Sequence, residues 1–267
     1  MPSIRAESHQ QAEQFFDSTV DHYVRRSSGA VSNFSSLIFQ RRIAIVESLI
    51  RRLAVSGGKA LDYGMGPAVF AKCTTVSGMH YLGVDLSSEM VERSKLLGLP
   101  NTEYVVGDLE ALNAYQGQKD LVLAIGLLDY LEDVPQGISQ LAACVKPGGH
   151  LVLSFRNRYS LPGLMRDASK AILRPFVTGS SGPHGKAFFA KVHEKSMDLD
   201  GQLIPHLKSL GFASFDAQYF NCSPLFFNFP MPKFLWRAWY AADQAIARRI
   251  TRFLCSGGVV VATKRPR

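Results

Sequence analysis

Between residues 59 and 155 the sequence alternates short apolar runs with helical patterns, and this alternation constrains the fold more than any other feature. The runs are apolar throughout rather than at every second residue, which is typical of strands buried on both faces. Five runs fit this description: Lys59–Tyr63, His80–Asp85, Thr102–Gly107, Asp120–Ile125 and His150–Phe155. Buried strands that alternate with helices predict a mostly parallel sheet with helices on both faces, in the α/β class.

The rest of the chain adds a helical cap and two insertions to this sheet. Residues 1–55 are predicted as an N-terminal cap of two helices, the second with apolar residues at helical spacing. Residues 56–267 are predicted as one domain, with insertions at about 156–195 and 221–256. Three further elements complete it: a helix over 198–210, a strand over 213–220 and a terminal strand over 258–264. The expected sheet therefore has seven strands.

The composition of the chain is that of an ordinary globular protein. Of 267 residues, 46% are hydrophobic and 19% are charged, which excludes disordered and fibrous classes. No apolar run approaches the length of about 20 residues that spans a bilayer, and the N-terminus has no apolar signal segment, so we expect a cytoplasmic protein. The four cysteines lie far apart without a C-x-x-C pair, which predicts reduced thiols and no metal site.

The net charge of +8 is concentrated near the C-terminus, where eight basic residues and one acid follow Met231. Such a localised charge does not favour nucleic-acid binding over the whole surface. The segment Lys233–Cys255 has apolar residues at helical spacing and a basic opposite side. This helix is expected to pack on its own domain or, as an alternative, to make peripheral contact with an anionic membrane.

A glycine turn, Leu61–Ala68, follows the first predicted strand and precedes an apolar helix. In this context glycines let a ligand approach the backbone and the helix amides. A phosphate-binding P-loop is excluded because no Gly-Lys-Ser/Thr follows the turn. A dinucleotide fingerprint starting at Gly64 would require glycine at Val69, where a β-branched side chain obstructs helix packing.

Acidic residues mark the ends of the first three predicted strands. Asp62 stands two residues before Gly64, Asp85 ends the second strand, and Asp108 follows the third. The carboxyl ends of parallel strands lie at one edge of a sheet, where an acid can accept both hydroxyls of a ribose. The alternative is that each acid only caps the turn that follows it.

In this order the motifs resemble those of the class I S-adenosylmethionine-dependent methyltransferases, over about residues 59 to 155. The family's D-x-G-x-G turn resembles Asp62-Tyr63-Gly64-Met65-Gly66, and its acid at the end of strand two resembles Asp85. Its Gly-Asp pair resembles Gly107-Asp108, its segment after strand four resembles Ile125 to Leu131, and its L-K-P-G-G turn resembles Val145 to Gly149. Ala68 departs from the pattern, because a third glycine is usual there; a methyl group should fit.

The resemblance implies a Rossmann-like fold, S-adenosyl-L-methionine as cofactor, and a role for each matching residue. Asp85 would hold the ribose, Leu86 would pack on the adenine, Asp108 would accept from its amino group, and the glycine backbone would lie along the methionine portion. Arg42 stands about where an arginine meets the cofactor carboxylate in similar small-molecule enzymes. The full predicted cofactor-binding set is Arg42, Asp62, Gly64, Gly66, Asp85, Leu86, Asp108, Leu109 and Ile125.

Methyl transfer from a sulfonium is an in-line displacement, so positioning and exclusion of water supply most of the acceleration. A general base is needed only if the acceptor arrives protonated. The candidates are His22, Tyr23, Asp129, Tyr130, His184 and His193. Of these, we predict His193 as the base and Tyr23 as a lid contact on the cofactor side.

The acceptor is predicted to be a small molecule. No Asn/Asp-Pro-Pro-aromatic motif follows strand four, which argues against methylation of nucleic-acid bases. The second insertion is rich in Phe and Trp, which favours an apolar or aromatic acceptor and O-methylation in a biosynthetic pathway. The alternatives are a non-catalytic cofactor-binding subunit and an N- or C-methyltransferase of a lipid-like substrate at the membrane surface.

Overall fold

The structure of the protein is a computed structural model. It describes residues 17, 20–21, 24, 34–161, 164, 196–221, 235, 238, 241–242, 245, 253 and 255–266. Most of both insertions lies outside these residues, as do His22, Tyr23, His184 and His193.

Seven strands form a single sheet in the order β3-β2-β1-β4-β5-β7-β6. Strands β1 to β5 are parallel, whereas β7 runs antiparallel between β5 and β6. Their bounds are Lys59–Tyr63 (β1), His80–Asp85 (β2), Thr102–Val106 (β3), Lys119–Ala124 (β4), Val145–Arg156 (β5), Phe212–Phe220 (β6) and Gly257–Lys264 (β7). The predicted seven-stranded, mostly parallel sheet is confirmed.

Helices connect the strands and cover both faces of the sheet. The α-helices are Phe34–Leu53 (α1), Ala71–Val76 (α2), Ser88–Lys95 (α3), Val134–Cys144 (α4) and Ile204–Ser209 (α5). Shorter turns are the 3₁₀ helices Glu110–Tyr115 and Leu128–Tyr130 and the π-helix Leu199–Leu203. The apolar stripe of α1 packs in one buried cluster with residues of β1, β4 and β7, and residues of α4 belong to a second cluster with the strands.

Two local expectations differ from the structure. The turn Lys146–Gly149 does not precede the fifth strand but lies inside it, because β5 starts at Val145 and the pairing with β4 is irregular between Lys119 and Leu121. Cys255 is bonded in a disulfide, whereas Cys73 and Cys144 are free thiols. Sequence spacing did not reveal the disulfide, because it depends on which residues the fold brings beside Cys255; the neighbouring amide, of Ser256, donates to the carbonyl of Asn221 at 3.0 Å.

Within the described part of the chain, no helix is long and apolar enough to cross a membrane. The same residues contain no cluster of three or more His, Cys, Asp or Glu side chains suited to a metal ion.

Candidate functional site: the carboxyl edge of the parallel strands

The loop after β1 is a tight turn in which two glycines adopt a left-handed backbone. The φ angle is +71° at Gly64 and +53° at Gly66, a region that glycine enters without steric penalty. A Cβ atom built on Gly64 would lie 2.8 Å from Cδ1 of Leu127, whereas one built on Gly66 would meet no described atom within 4 Å. Gly64 therefore packs against the loop after β4, and Gly66 borders open space where a ligand could reach the backbone.

Ala68 also has a left-handed backbone, with φ of +48°, and its methyl group is buried. A non-glycine residue in this region is disfavoured by about 1–2 kcal/mol. The methyl group packs in a small buried cluster with Met65, Tyr81 and Val91, which offsets part of that strain. As expected the methyl group fits, but it does so in a backbone conformation that glycine would adopt more easily.

Asp85 ties the glycine turn to the end of β2. Its Oδ2 accepts a hydrogen bond from the amide of Gly66 at 2.8 Å, and its Oδ1 accepts one from the amide of Ser87 at 3.0 Å. Burial raises the pKa of Asp85 above its usual value, although the two amide bonds oppose this shift. Each carboxylate oxygen has a further lone pair, so the group can still accept from ligand hydroxyls.

Asp62 lies directly beneath the turn and is almost completely buried. Its Oδ2 accepts a hydrogen bond from the hydroxyl of Tyr81 at 2.8 Å. Burial raises the pKa of Asp62 to about 7, and the hydrogen bond from Tyr81 partly opposes the shift. Among the described residues no basic side chain pairs with Asp62, and a carboxyl group in such surroundings, next to a turn that borders open space, is suited to bind a cationic ligand group.

Asp108 follows β3 and is half-buried. Its Oδ1 accepts from the amides of Glu110 and Ala111, at 2.9 and 3.1 Å, and so caps the 3₁₀ helix Glu110–Tyr115. Leu109, beside it, packs against the main core. The structure thus shows the capping role that was the alternative for Asp108, while its adenine contact stays a prediction.

Arg42 reaches the same edge of the sheet from α1. A Cβ atom built on Gly126, just after β4, would lie 2.9 Å from Nη1 of Arg42, so the guanidinium stands over this glycine. The ring of Phe39 lies 5.1 Å from the guanidinium carbon, and the Gly126 amide donates to Oγ of Ser154 at 2.6 Å. Since Leu127 follows Gly126 and packs on Gly64, Arg42 and the glycine turn both border the loop after β4, and the contact of Arg42 with the cofactor stays a prediction.

The structure describes four other predicted residues, and all four are half-buried. Leu86 is half-buried after β2, and Ile125 is half-buried beside the core at the end of β4. Asp129 and Tyr130 lie in the 3₁₀ helix Leu128–Tyr130 and are half-buried. The predicted catalytic residues His193 and Tyr23 lie outside the described residues, so their roles stay predictions.

Three contacts at this edge were not predicted from the sequence: the hydrogen bond from Tyr81 to Asp62 and two contacts between the N-terminal segment and α3. At the N-terminus of α3, Ser87 Oγ donates to Asp17 at 2.5 Å, and in its last turn Arg93 pairs with Asp21 at 2.8 Å. Ser87 is also the N-cap of α3, accepting from the Met90 amide. The Ser87 cap could have been predicted, since serine before a helix is a strong start signal.

Comparison with known proteins finds relatives of the central part of the chain. Residues 61–153 match the family model described as a methyltransferase domain. A ubiquinone biosynthesis O-methyltransferase of Marinobacter nauticus is 30% identical over 113 residues, which is 40% of this chain and 48% of that protein. One of Xanthomonas oryzae pv. oryzae is 33% identical over 111 residues, 40% of this chain and 46% of its own length. The chain thus matches about half the length of these curated relatives.

Solved structures share the fold at low sequence identity. The magnesium protoporphyrin IX methyltransferase of Synechocystis, with bound S-adenosylhomocysteine, has a TM-score of 0.60 and 19% identity, covering 95% of this chain and 98% of that one. A Thermotoga maritima methyltransferase, described as a possible histamine N-methyltransferase, has a TM-score of 0.58 and 18% identity, covering 95% and 99%. The fold is that of the class I methyltransferases.

Proposed function

We propose that this chain, whose residues 61–153 match a methyltransferase-domain model, is a class I S-adenosylmethionine-dependent methyltransferase that transfers a methyl group from that cofactor to a small, apolar or aromatic acceptor. One observation carries the proposal: the glycine turn, the buried acids Asp62 and Asp85, and Arg42 meet at the carboxyl edge of the parallel strands. Ligands of open α/β sheets bind at this edge. The residues fit the cofactor, because Gly66 leaves open the space that a side chain would fill.

Each end of the cofactor has a matching group in this arrangement. Asp85 would accept from the ribose hydroxyls, and Leu86, Asp108 and Leu109 would border the adenine. At the opposite end, the carboxylate of Asp62 would accept from the ammonium group, and the guanidinium of Arg42 would bind the carboxylate. The backbone of Gly64 and Gly66 would lie along the methionine portion, with Ile125 on its far side.

When bound, the cofactor supplies a methyl group on a positively charged sulfur, which is activated for displacement without further help from the protein. The residues of this chain then have to orient the acceptor atom in line with that methyl group and exclude water. A hydroxyl acceptor must also lose its proton. We keep His193 as the proposed base for that step and Tyr23 as a proposed contact that closes over the cofactor.

O-methylation of an aromatic hydroxyl is the reaction we propose. Two features support it: the relatives above are named O-methyltransferases, although they match only part of this chain, and the segment 221–256 is unusually aromatic, with Phe226, Phe227, Phe229, Phe234, Trp236, Trp239 and Tyr240. Aromatic side chains provide large apolar contact areas for a flat, apolar ring.

A transfer assay with matched acceptors tests this proposal. The purified chain is incubated with S-adenosylmethionine and, in parallel, an alkyl-substituted dihydroxybenzene, the same ring with its hydroxyls blocked, and an aromatic amine. We expect formation of S-adenosylhomocysteine and of a product carrying one additional O-methyl group with the first acceptor only. Transfer to the amine would instead favour an N-methyltransferase, and stoichiometric cofactor binding without turnover on any acceptor would favour a non-catalytic subunit.

Contact of the basic segment Lys233–Cys255 with an anionic membrane remains part of the proposal. Its described residues Leu235, Ala238, Ala241, Ala242 and Ala245 are helical and exposed, and each basic residue near such a surface contributes about 1 kcal/mol. Sedimentation with vesicles should show binding to anionic but not neutral vesicles at low salt. Equal binding to both, or to neither, would contradict membrane contact.

A further inference from the structure

We propose that Tyr81 is a positioning residue that holds the carboxylate of Asp62 in its ionised form beneath the glycine turn. The Tyr81 side chain is fully buried, and its hydroxyl donates to Oδ2 of Asp62 at 2.8 Å. A hydrogen bond to the charged form of a carboxyl favours that form. The inference rests on the proposed function only for what the ionised carboxylate binds, namely the ammonium group of the cofactor.

Gly83 makes this contact feasible. In the register of the sheet Tyr81 stands beside Ala60, and Gly83 stands beside Asp62, so the Tyr81 ring has to pass along β2 over Gly83 to reach the carboxylate. A Cβ atom built on Gly83 would lie 3.0 Å from Cε1 of Tyr81 and would overlap Sδ of Met65. The absence of a side chain at Gly83 therefore leaves room for the Tyr81 ring.

The surroundings of Asp62 make this hydrogen bond important. Among the described residues, burial and the negative charge of Asp85 favour the neutral form of Asp62, and the hydroxyl of Tyr81 opposes them. From β3, Tyr104 faces Tyr81 rather than Asp62. With its pKa raised to about 7, Asp62 titrates in the neutral range, where the loss of one hydrogen bond to the carboxylate lowers its ionised fraction.

Tyr104 provides a matched control for Tyr81. Its ring centroid lies 6.0 Å from that of Tyr81, and its buried hydroxyl has no hydrogen-bond partner among the described residues. Tyr81→Phe and Tyr104→Phe therefore remove the same atom from neighbouring rings. Only the first removes a hydrogen bond to Asp62.

The direct test is an NMR titration of the Asp62 carboxyl carbon in the cofactor-free protein. We expect Tyr81→Phe to raise the pKa of Asp62 by about one unit, while Tyr104→Phe leaves it at the wild-type value. If Tyr81→Phe does not fold, Gly83→Ala, which displaces the ring, is titrated instead with the same expectation. An unchanged or lowered pKa in the Tyr81 or Gly83 variant, or an equal rise in Tyr104→Phe, would overturn the inference.

Cofactor-product binding across pH adds a readout that a purely structural role would not produce. Calorimetry with S-adenosylhomocysteine from pH 6 to 9 should give a Tyr81→Phe curve displaced to higher pH that rejoins the wild-type curve at the alkaline end. Affinity lowered equally at every pH would contradict a role through ionisation. If the wild type binds no S-adenosylhomocysteine at any pH, the proposed function fails, whereas the titration of Asp62 still decides the role of Tyr81.

Discussion

Buried carboxylates lie at both ends of the parallel strands, and they have opposite surroundings. At the amino end, Asp120 accepts from the backbone amide of Lys59 at 2.9 Å and pairs with the ammonium of Lys146. At the carboxyl end, Asp62 and Asp85 accept only from a tyrosine hydroxyl and backbone amides among the described residues. Among the described residues, a lysine pairs with the acid at the amino end, whereas no basic side chain pairs with either acid at the carboxyl end.

The pKa values reflect this difference. Burial would raise the pKa of Asp120, but the bonds from Lys146 and Lys59 outweigh it, so the pKa lies below its usual value. For Asp62 and Asp85 burial dominates, and both pKa values are raised. We infer that Asp120 stabilises the fold through its pairing with a cation, whereas the raised pKa values of Asp62 and Asp85 fit the proposed role of binding a ligand, at a cost to the stability of the free protein.

The largest effect is expected from Asp62→Asn, which keeps the shape of the side chain and removes its charge. At pH 8 we expect the affinity for S-adenosylhomocysteine to fall about ten- to a hundred-fold, because the ammonium group loses a charged acceptor. The melting temperature should be equal to or higher than that of the wild type. Calorimetry measures the affinity, and thermal unfolding measures the melting temperature. A lower melting temperature with unchanged affinity would show that Asp62, like Asp120, stabilises the fold and does not bind the cofactor.

The pH dependence of stability sharpens the comparison. Because the pKa of Asp62 is raised from 3.8 to about 7 in the folded protein, the folded state holds a proton that the unfolded state releases. This stabilisation is complete below about pH 4 and is lost as pH rises through about 7. Between pH 5 and 8 the wild type should lose about 2 kcal/mol relative to Asp62→Asn, as measured by urea unfolding. Parallel curves for the two proteins would be the contradicting result.

Asp120→Asn should show the reverse pattern at a smaller magnitude. We expect the free energy of unfolding at pH 7 to fall by about 1 kcal/mol, or roughly 2–4 °C in melting temperature, since Lys146 is partly exposed and can be hydrated instead. Affinity for S-adenosylhomocysteine should be unchanged within about two-fold. Weakened binding in a folded Asp120→Asn protein would show that the acid at the amino end of the strands also affects binding at the carboxyl end.

Asp108 caps a helix and is also a predicted cofactor contact, so its substitution tests whether one acid has both roles. We expect the smallest changes in stability and affinity here. Asp108→Ala removes the cap of the 3₁₀ helix and should lower the free energy of unfolding by about 0.5–1 kcal/mol, with a loss of affinity of only a few-fold. Asp108→Asn is the control, because asparagine is an equally good cap. If both variants lower the affinity by more than about ten-fold, Asp108 belongs with Asp62 and Asp85.

The mostly parallel seven-stranded sheet and the edge on which the acids meet could be predicted from the sequence. Continuous apolar runs indicated buried parallel strands, and parallel strands bring their carboxyl ends together. The sequence alone therefore predicts that Asp62 and Asp85 lie at one edge. Arg42 was placed there too, although only the resemblance to a family suggested it.

Contacts that depend on packing between distant residues could not be predicted. In the sequence Tyr81 is one apolar residue in a strand, and its contact with Asp62 depends on the space above Gly83 and on the position of Met65. The different pKa values of Asp120 and Asp62 depend on where Lys146 lies, inside an irregular part of β5. The disulfide of Cys255 likewise depends on which residues the fold brings beside it.

The most direct test of the account is calorimetry of S-adenosylhomocysteine with the wild type, Asp85→Ala and Asp120→Ala. The account predicts one site of micromolar affinity in the wild type, a loss of about ten- to a hundred-fold in Asp85→Ala because the ribose hydroxyls lose their acceptor, and wild-type affinity in folded Asp120→Ala. Unchanged affinity in a folded Asp85→Ala protein, or an equal loss in Asp120→Ala, would contradict the claim that the cofactor binds at the carboxyl edge of the sheet.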